Sequence, residues 1–217
     1  AGGTDPNDEN SKGAIPQPLL YLDFEEEAVD LSGNAHDGEV DGDVTFDVEG
    51  AESGPTPTTG ASFNGGHLDF PGIDMNSMIR DFADGSYTFS CWLKPIGSAG
   101  GQGFIWGQTQ QGIHNGIRNG GFLHSAHWGA DWNASTVLEA EQWAHAAWVY
   151  DGQSDTATIY LNGQVDGGPQ AQRAPNGGGT FILGGRNNGE LSFNGYLDDV
   201  TIWTEALPEG TILALAD

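Results

Sequence analysis

Apolar and polar residues alternate with a period of two along most of the chain, in short runs ended by Gly, Asn, Asp or Pro. The clearest are LLYLDF (19–24), ASFNG (61–65), HLDFP (67–71), YTFSCWLKP (87–95), GFIWGQ (103–108), GFLHSAHW (121–128), WAHAAWVYD (143–151), TATIYLNG (156–163), TFILGG (180–185) and YLDDVTIW (196–203). A period of two sends successive side chains to opposite faces of an extended backbone, so each run predicts a β-strand. Many short strands separated by turn residues predict an all-β fold, with two antiparallel sheets packed as a sandwich or jelly roll. Helical periodicity is scarce. The stretch 74–85 predicts one or two turns ended by Gly85, and LPEGTILALAD (207–217) places Pro208 near a helix start. Two short helices cannot cover a parallel sheet, which argues against α/β architectures.

Two details sharpen the pattern. Asn162-Gly163 sits between Ile159-Tyr160-Leu161 and Val165, and Asn-Gly between apolar strands predicts a tight hairpin, because both central residues of a type I′ turn need positive φ. The run from Trp143 to Tyr150 is apolar on both faces, as a strand is when something covers the side of its sheet away from the core.

Composition narrows the class. The chain has 217 residues, 37% of them hydrophobic, with seven Trp, 35 Gly and ten Pro. The Gly and Pro are scattered as turn punctuation and no internal linker divides the chain, which predicts one domain over 18–217. The opening AGGTDPNDENSKGAIPQP is small, acidic and poor in apolar residues, and residues 1–17 read as a flexible acidic tether, such as remains after an export signal is removed. The expectation is therefore an exported protein, extracellular, cell-surface or periplasmic. Six Lys and Arg against 31 Asp and Glu give a formal charge of −25. That field repels phosphate backbones and anionic headgroups, so nucleic acid is excluded as a partner. No run of eighteen apolar residues exists to insert into a membrane. Cys91 is the only cysteine, which rules out an internal disulfide, and its place in an apolar strand predicts a small buried hydrophobe.

Four stretches carry a resemblance. LLYLDFEEEAVDLSGNAHDGEV, YTFSCWLKP, EQWAHAAWVYDGQSDTATIYLNGQVDG and NGYLDDVTIWTEALPEGTI, in that order and spacing, resemble the laminin-G-like jelly-roll domains of the concanavalin A-like lectin/glucanase superfamily, over roughly residues 18 to 215. The resemblance implies two antiparallel sheets face to face, one of them concave, with the first and last strands adjacent. It implies an extracellular binding or adhesion module, often with a structural calcium ion. By the same resemblance the terminal strands bring Asp23 near Asp198 and Asp199, with Asp30 and Asn34 as further calcium candidates. Calcium takes six to eight oxygen ligands, which a Gly- and Asn-rich turn such as DLSGNAHDG can supply. The alternative is that these side chains make turn and backbone hydrogen bonds, as Asp and Asn do beside Gly.

Chemistry concentrates in HNGIRNGGFLHSAHWGADWN (114–133), which holds three of the six His, two Trp and an Arg. Sugars are recognised by apolar ring faces stacked on aromatics together with a few directed polar groups. His114, Arg118, His124, His127, Trp128, Asp131 and Trp132 are the candidate ligand-binding residues, with core or turn roles as the alternative. Zinc is disfavoured, because His124 and His127 are three apart on a strand and face opposite ways. Catalysis is disfavoured too. The paired carboxylates of glycanase relatives have no counterpart stretch, and no G-x-S-x-G elbow occurs. The sequence thus predicts a non-catalytic binding module for a glycan or surface polysaccharide, stabilised by calcium. A protein–protein adhesion or scaffolding module that binds another surface protein is the alternative, and a glycan-cleaving enzyme stands third.

Overall fold

The computed structural model describes residues 15–51, 58–74, 85–96, 103–108, 112–175, 178–185 and 191–217. In chain order the first strands are β1 (Leu20–Leu22), β2 (Glu39–Asp41), β3 (Val44–Glu49), β4 (Thr59–Asn64) and β5 (His67–Phe70). Then come β6 (Tyr87–Pro95), β7 (Gly103–Gln108), β8 (His114–Arg118), β9 (Phe122–Ala126) and β10 (Asp131–Val137). The last are β11 (Ala144–Asp151), β12 (Thr156–Leu161), β13 (Gln164–Ala171), β14 (Phe181–Leu183) and β15 (Asn194–Trp203), followed by the helix α1 (Glu209–Leu215).

One sheet runs β13-β12-β11-β6-β15-β4-β3, with β1 added beside β15, and the other runs β10-β9-β8-β7-β14-β5-β2. Their ladders are antiparallel, so the two-sheet antiparallel sandwich expected from the alternation is the fold. The first and last strands are adjacent, with Leu20 opposite Ile202 and Leu22 opposite Val200. β15 is thus shared on one edge between β4 at its start and β1 at its end.

The main core lies between the sheets. Leu22, Phe63, Phe89, Leu93, Trp148, Ile159, Leu197 and Ile202 from one sheet meet Leu68, Phe70, Trp106, Ile117, Leu123 and Phe181 from the other. At its centre the Phe89 and Trp106 rings stack across the two sheets at 4.6 Å, and Tyr87 meets Trp106 edge-on at 5.5 Å. Cys91 is fully buried, as expected, and burial pushes its thiol up. The doubly apolar strand β11 is explained by a second, smaller cluster. Ala146, Trp148 and Tyr150 face the sandwich core, while Ala147 and Val149 face Tyr160, Trp203, Leu207 and Ile212 beneath α1.

The Asn-Gly hairpin is present: Asn162 has φ 49° and Gly163 φ 74°, and β12 returns as β13. The helix expected at 207–217 is α1. The turns expected over 74–85 fall mainly on residues outside those described. So does most of the tether, although Pro16 and Gln17 are tied to the sandwich by bonds from Trp203 Nε1 to the Pro16 carbonyl and from Gln17 Nε2 to the Ser32 carbonyl.

Candidate functional site

The side chains from 114 to 133 are sorted by the pleat. In β8, Ile117 enters the core, so His114, Gly116 and Arg118 face outward. In β9 Leu123 enters and Phe122, His124 and Ala126 face outward, while in β10 Ala134 packs inward and Asp131 and Asn133 face outward. The register places Gly116 beside His124 and His124 beside Asn133. Three strands therefore deliver one polar cluster to the outer face of the seven-stranded sheet. Gly116 is required there, since a Cβ would collide with the backbone of Gly103 and Phe104.

Within the cluster each imidazole is oriented from behind. His114 Nδ1–H donates to the Gly112 carbonyl at 3.1 Å, and His124 Nδ1–H donates to Asn133 Oδ1 at 2.8 Å. The two Nε2 atoms then point toward Asp131 and Arg118. His114 Nε2 is 3.8 Å from Asp131 Oδ2, Arg118 Nη1 is 3.7 Å from the same oxygen, and Arg118 Nη1 is 3.5 Å from His124 Nε2. Burial pushes His124 down to about 4, so it is neutral at pH 7 and accepts a hydrogen bond at Nε2. The Arg118 guanidinium also lies over the Phe104 ring at 5.7 Å, which fixes its plane. Trp128 stands at the rim with its ring 5.9 Å from that of His114, and it is 39% exposed, which leaves an indole face available to a ligand.

The other two candidates of the stretch are directed elsewhere. His127 is fully buried toward the core: its Nδ1–H donates to the Arg173 carbonyl at 2.7 Å and its Nε2 accepts the Tyr87 hydroxyl at 2.8 Å. Trp132 packs against the core from the inner face of β10 and donates from Nε1 to Gln172 Oε1 at 2.7 Å. The opposite facing of His124 and His127 follows from alternation, while Trp132 is separated from Asp131 by the same rule. Phe104 and Asn133 belong to the cluster and were not among the sequence candidates. Phe104 reads as a core residue in GFIWGQ until the irregular register of β7 against β8 turns it outward.

The calcium candidates fall into two groups. Asp30 accepts backbone N–H groups of Tyr21, Ser32 and His36 together with the Ser32 hydroxyl, and these bonds hold it below the usual carboxylate range against the opposing effect of burial. Asn34 donates to the Pro18 and Leu19 carbonyls. Asp198 is buried and accepts from Ala51 N, Thr58 Oγ1 and Asp199 N; burial and then the Asp199 charge push it up to about 7. Asp23 accepts Glu25 N, and Asp199 accepts the Tyr21 hydroxyl at 3.1 Å. Asp30 is thus taken up by N–H and O–H donors and Asn34 by the Pro18 and Leu19 carbonyls, while Asp23, Asp198 and Asp199 gather about Tyr21 closely enough for their charges to act on its hydroxyl.

A concanavalin A-like lectin/glucanases family model, of the laminin-G type, matches residues 66–213. The chain belongs to that superfamily. No curated protein sequence matches it, but many solved structures do. Domain 4 of an extracellular arabinanase from Geobacillus stearothermophilus, solved with arabinotriose, is 19% identical with a TM-score of 0.67, covering 93% of this chain and 98% of that one. The binding domain of Paraclostridial Mosquitocidal Protein 1 is 19% identical with a TM-score of 0.68 over 92% of this chain and 52% of that one. A Trypanosoma rangeli sialidase is 15% identical with a TM-score of 0.67, and this chain spans 35% of its length. At these identities the likeness is one of fold. The concanavalin A-like sandwich accommodates both binding and glycan-cleaving proteins, so the chemistry has to be argued from the cluster itself.

Proposed function

We propose that this protein is a non-catalytic glycan-binding module whose site is the outer face of the seven-stranded sheet around His114, Arg118, His124, Trp128 and Asp131. The observation that carries the reading is the exposed Trp128 indole beside a carboxylate–guanidinium–imidazole group whose two imidazoles are each held from behind. A sugar ring stacks on an indole face, and its hydroxyls, each both donor and acceptor, match Asp131, Arg118 and the His124 Nε2 acceptor. Arg118 is partnered by Asp131, so it offers no net positive charge to a uronate or sulfate, and the −25 charge of the chain repels one. The ligand is therefore a neutral glycan. The cluster contains a single carboxylate, whereas glycoside hydrolysis uses a pair, which supports binding without cleavage. That the arabinanase domain was solved with arabinotriose supports the class of ligand. Among the described residues no helix is long and apolar enough to cross a membrane. An exported module displayed at a cell surface or in a periplasm meets neutral polysaccharides, and this is the location we propose.

Affinity electrophoresis through neutral polysaccharides, beginning with arabinan, tests the reading. At least one gel should retard the wild type, and Trp128→Ala should abolish the retardation while its melting temperature stays within about 2 °C, since the ring is largely outside the core. If no neutral polysaccharide or array glycan retards the wild type, the glycan reading fails and the adhesion alternative, with a protein partner, takes its place.

A further inference from the structure

At the opposite edge of the seven-stranded sheet from the glycan cluster, with β7 and β14 between them, β2 and β5 carry a second group of ligating side chains. Their ladder pairs Asp41 with His67 and Glu39 with Asp69. Leu68 and Phe70 enter the core, so His67 and Asp69 face outward, and Asp41 and Glu39, directly opposite them, face the same way. His67 is nevertheless only 5% exposed. Its Nε2 lies 3.5 Å from Asp69 Oδ2 and 3.9 Å from Asp41 Oδ2. One ligand atom from each of the three residues lies within 4.8 Å of the other two.

These separations are not those of a closed ion pair. A charge-assisted hydrogen bond would draw the ring nitrogen to about 2.7–2.9 Å from one oxygen, whereas Nε2 stands off from both. Ligands placed tetrahedrally at the zinc distances for nitrogen and oxygen lie about 3.3–3.6 Å apart. The Asp69 separation falls in that range, and Asp41, whose side chain is 71% exposed, has the freedom to close the small remainder. Two carboxylates held this close repel one another, and among the described residues neither is paired with a Lys or Arg. A cation is what such a pair attracts, and the −25 charge of the chain strengthens the attraction. The imidazole selects which cation: calcium and magnesium take oxygen ligands, whereas zinc takes imidazole and carboxylate together.

We propose that His67, Asp41 and Asp69 form a binding site for a divalent transition-metal ion of the zinc class, with His67 Nε2 and one oxygen of each carboxylate as ligands and water completing the shell. The ion bridges two strands. β2 is three residues long, exposed throughout and at the edge of its sheet, so one ligand from β2 and two from β5 on a common ion clip that edge to the sandwich. The imidazoles that the sequence argues against as zinc ligands lie within 114–127, and His67 is outside that stretch. The site shares no residue with the glycan cluster, and either reading can fail without the other.

Zinc chloride titrated into the whole chain, with calcium in excess to fill any all-oxygen site, should show saturable binding by calorimetry, and the melting temperature should rise with zinc concentration. Zinc should also move the ring nitrogen resonances of His67. Asp41→Ala, at an exposed side chain outside the core, should weaken zinc binding at least about tenfold, since losing a ligand costs more than losing one of its supports. His67→Gln should do the same, and Asp69→Ala serves in its place if the buried substitution does not fold. Asp131→Asn should leave zinc affinity unchanged, which separates this site from the His114, His124 and Asp131 group of the glycan cluster, where Arg118 already stands 3.7 Å from Asp131. No saturable zinc binding, binding untouched by Asp41→Ala and Asp69→Ala, or binding lost in Asp131→Asn alone would each overturn the proposal.

Discussion

Individual side chains in the glycan cluster are specified by the residues behind them, and this makes their loss unequal. Asn133 contacts no ligand in our reading, yet it accepts His124 Nδ1–H and so decides which nitrogen of that ring faces outward. Asn133→Leu should weaken glycan binding about tenfold or less, whereas Arg118→Ala, which removes a direct donor, should cost more; a titration of both against one oligosaccharide checks the order. Gly116→Ala is expected to destabilise the fold by roughly 1–3 kcal/mol, as overpacking against a fixed backbone does, and denaturant unfolding measures it. Much of the cluster was legible. Alternation alone put His124 and His127 on opposite faces without telling which face is outward, so both, like Trp132, read as ligand contacts, because rings look alike whichever face they occupy. The acidic turn left two readings open for a similar reason: an Asp that serves an ion and an Asp that caps N–H groups have the same sequence, and the donors around Asp30 favour the second at that residue.

At the level of elements, strongly alternating apolar runs gave the strands of the core, and weaker ones were missed. β3 alternates between half-buried and exposed positions, β13 is mostly exposed, and β10 is mostly exposed with only Ala134 buried. Such strands bury too little apolar surface to stand out, and are held by pairing with neighbours that bury more. The short α1 is the opposite case, visible in sequence and held by tertiary packing. Its fully buried Ile212 fills the small cluster over β11. Ile212→Ala should cost about 2–5 kcal/mol, which denaturant unfolding measures.

For the whole molecule, acidity and buried imidazoles set the response to solution conditions. His124, His127 and His145 are each lowered by burial to about 4. Between the unfolded value near 6.5 and that folded value the unfolded chain binds more protons at these rings, so stability falls as pH drops through this window. Asp198, raised to about 7 by burial and Asp199, acts in the opposite direction, its contribution being greatest in acid and lost as pH rises toward 7. Three groups outweigh one, and melting measured in high salt, which suppresses the background repulsion, should decline from pH 6.5 to 4. Asp198→Asn should steepen the decline. At constant neutral pH added salt should raise the melting temperature by screening the −25 charge.

The family match begins at residue 66, and the shared edge of β15 shows what a chain cut there would lose. β4 and β1 both lie upstream of the cut, so a ten-residue strand in the interior of a sheet would have its whole second side stripped of partners. That bare backbone would be an adhesive margin, ready to recruit the same strand from another molecule. A protein trimmed to the recognisable segment should therefore associate or precipitate while the longer chain stays in solution.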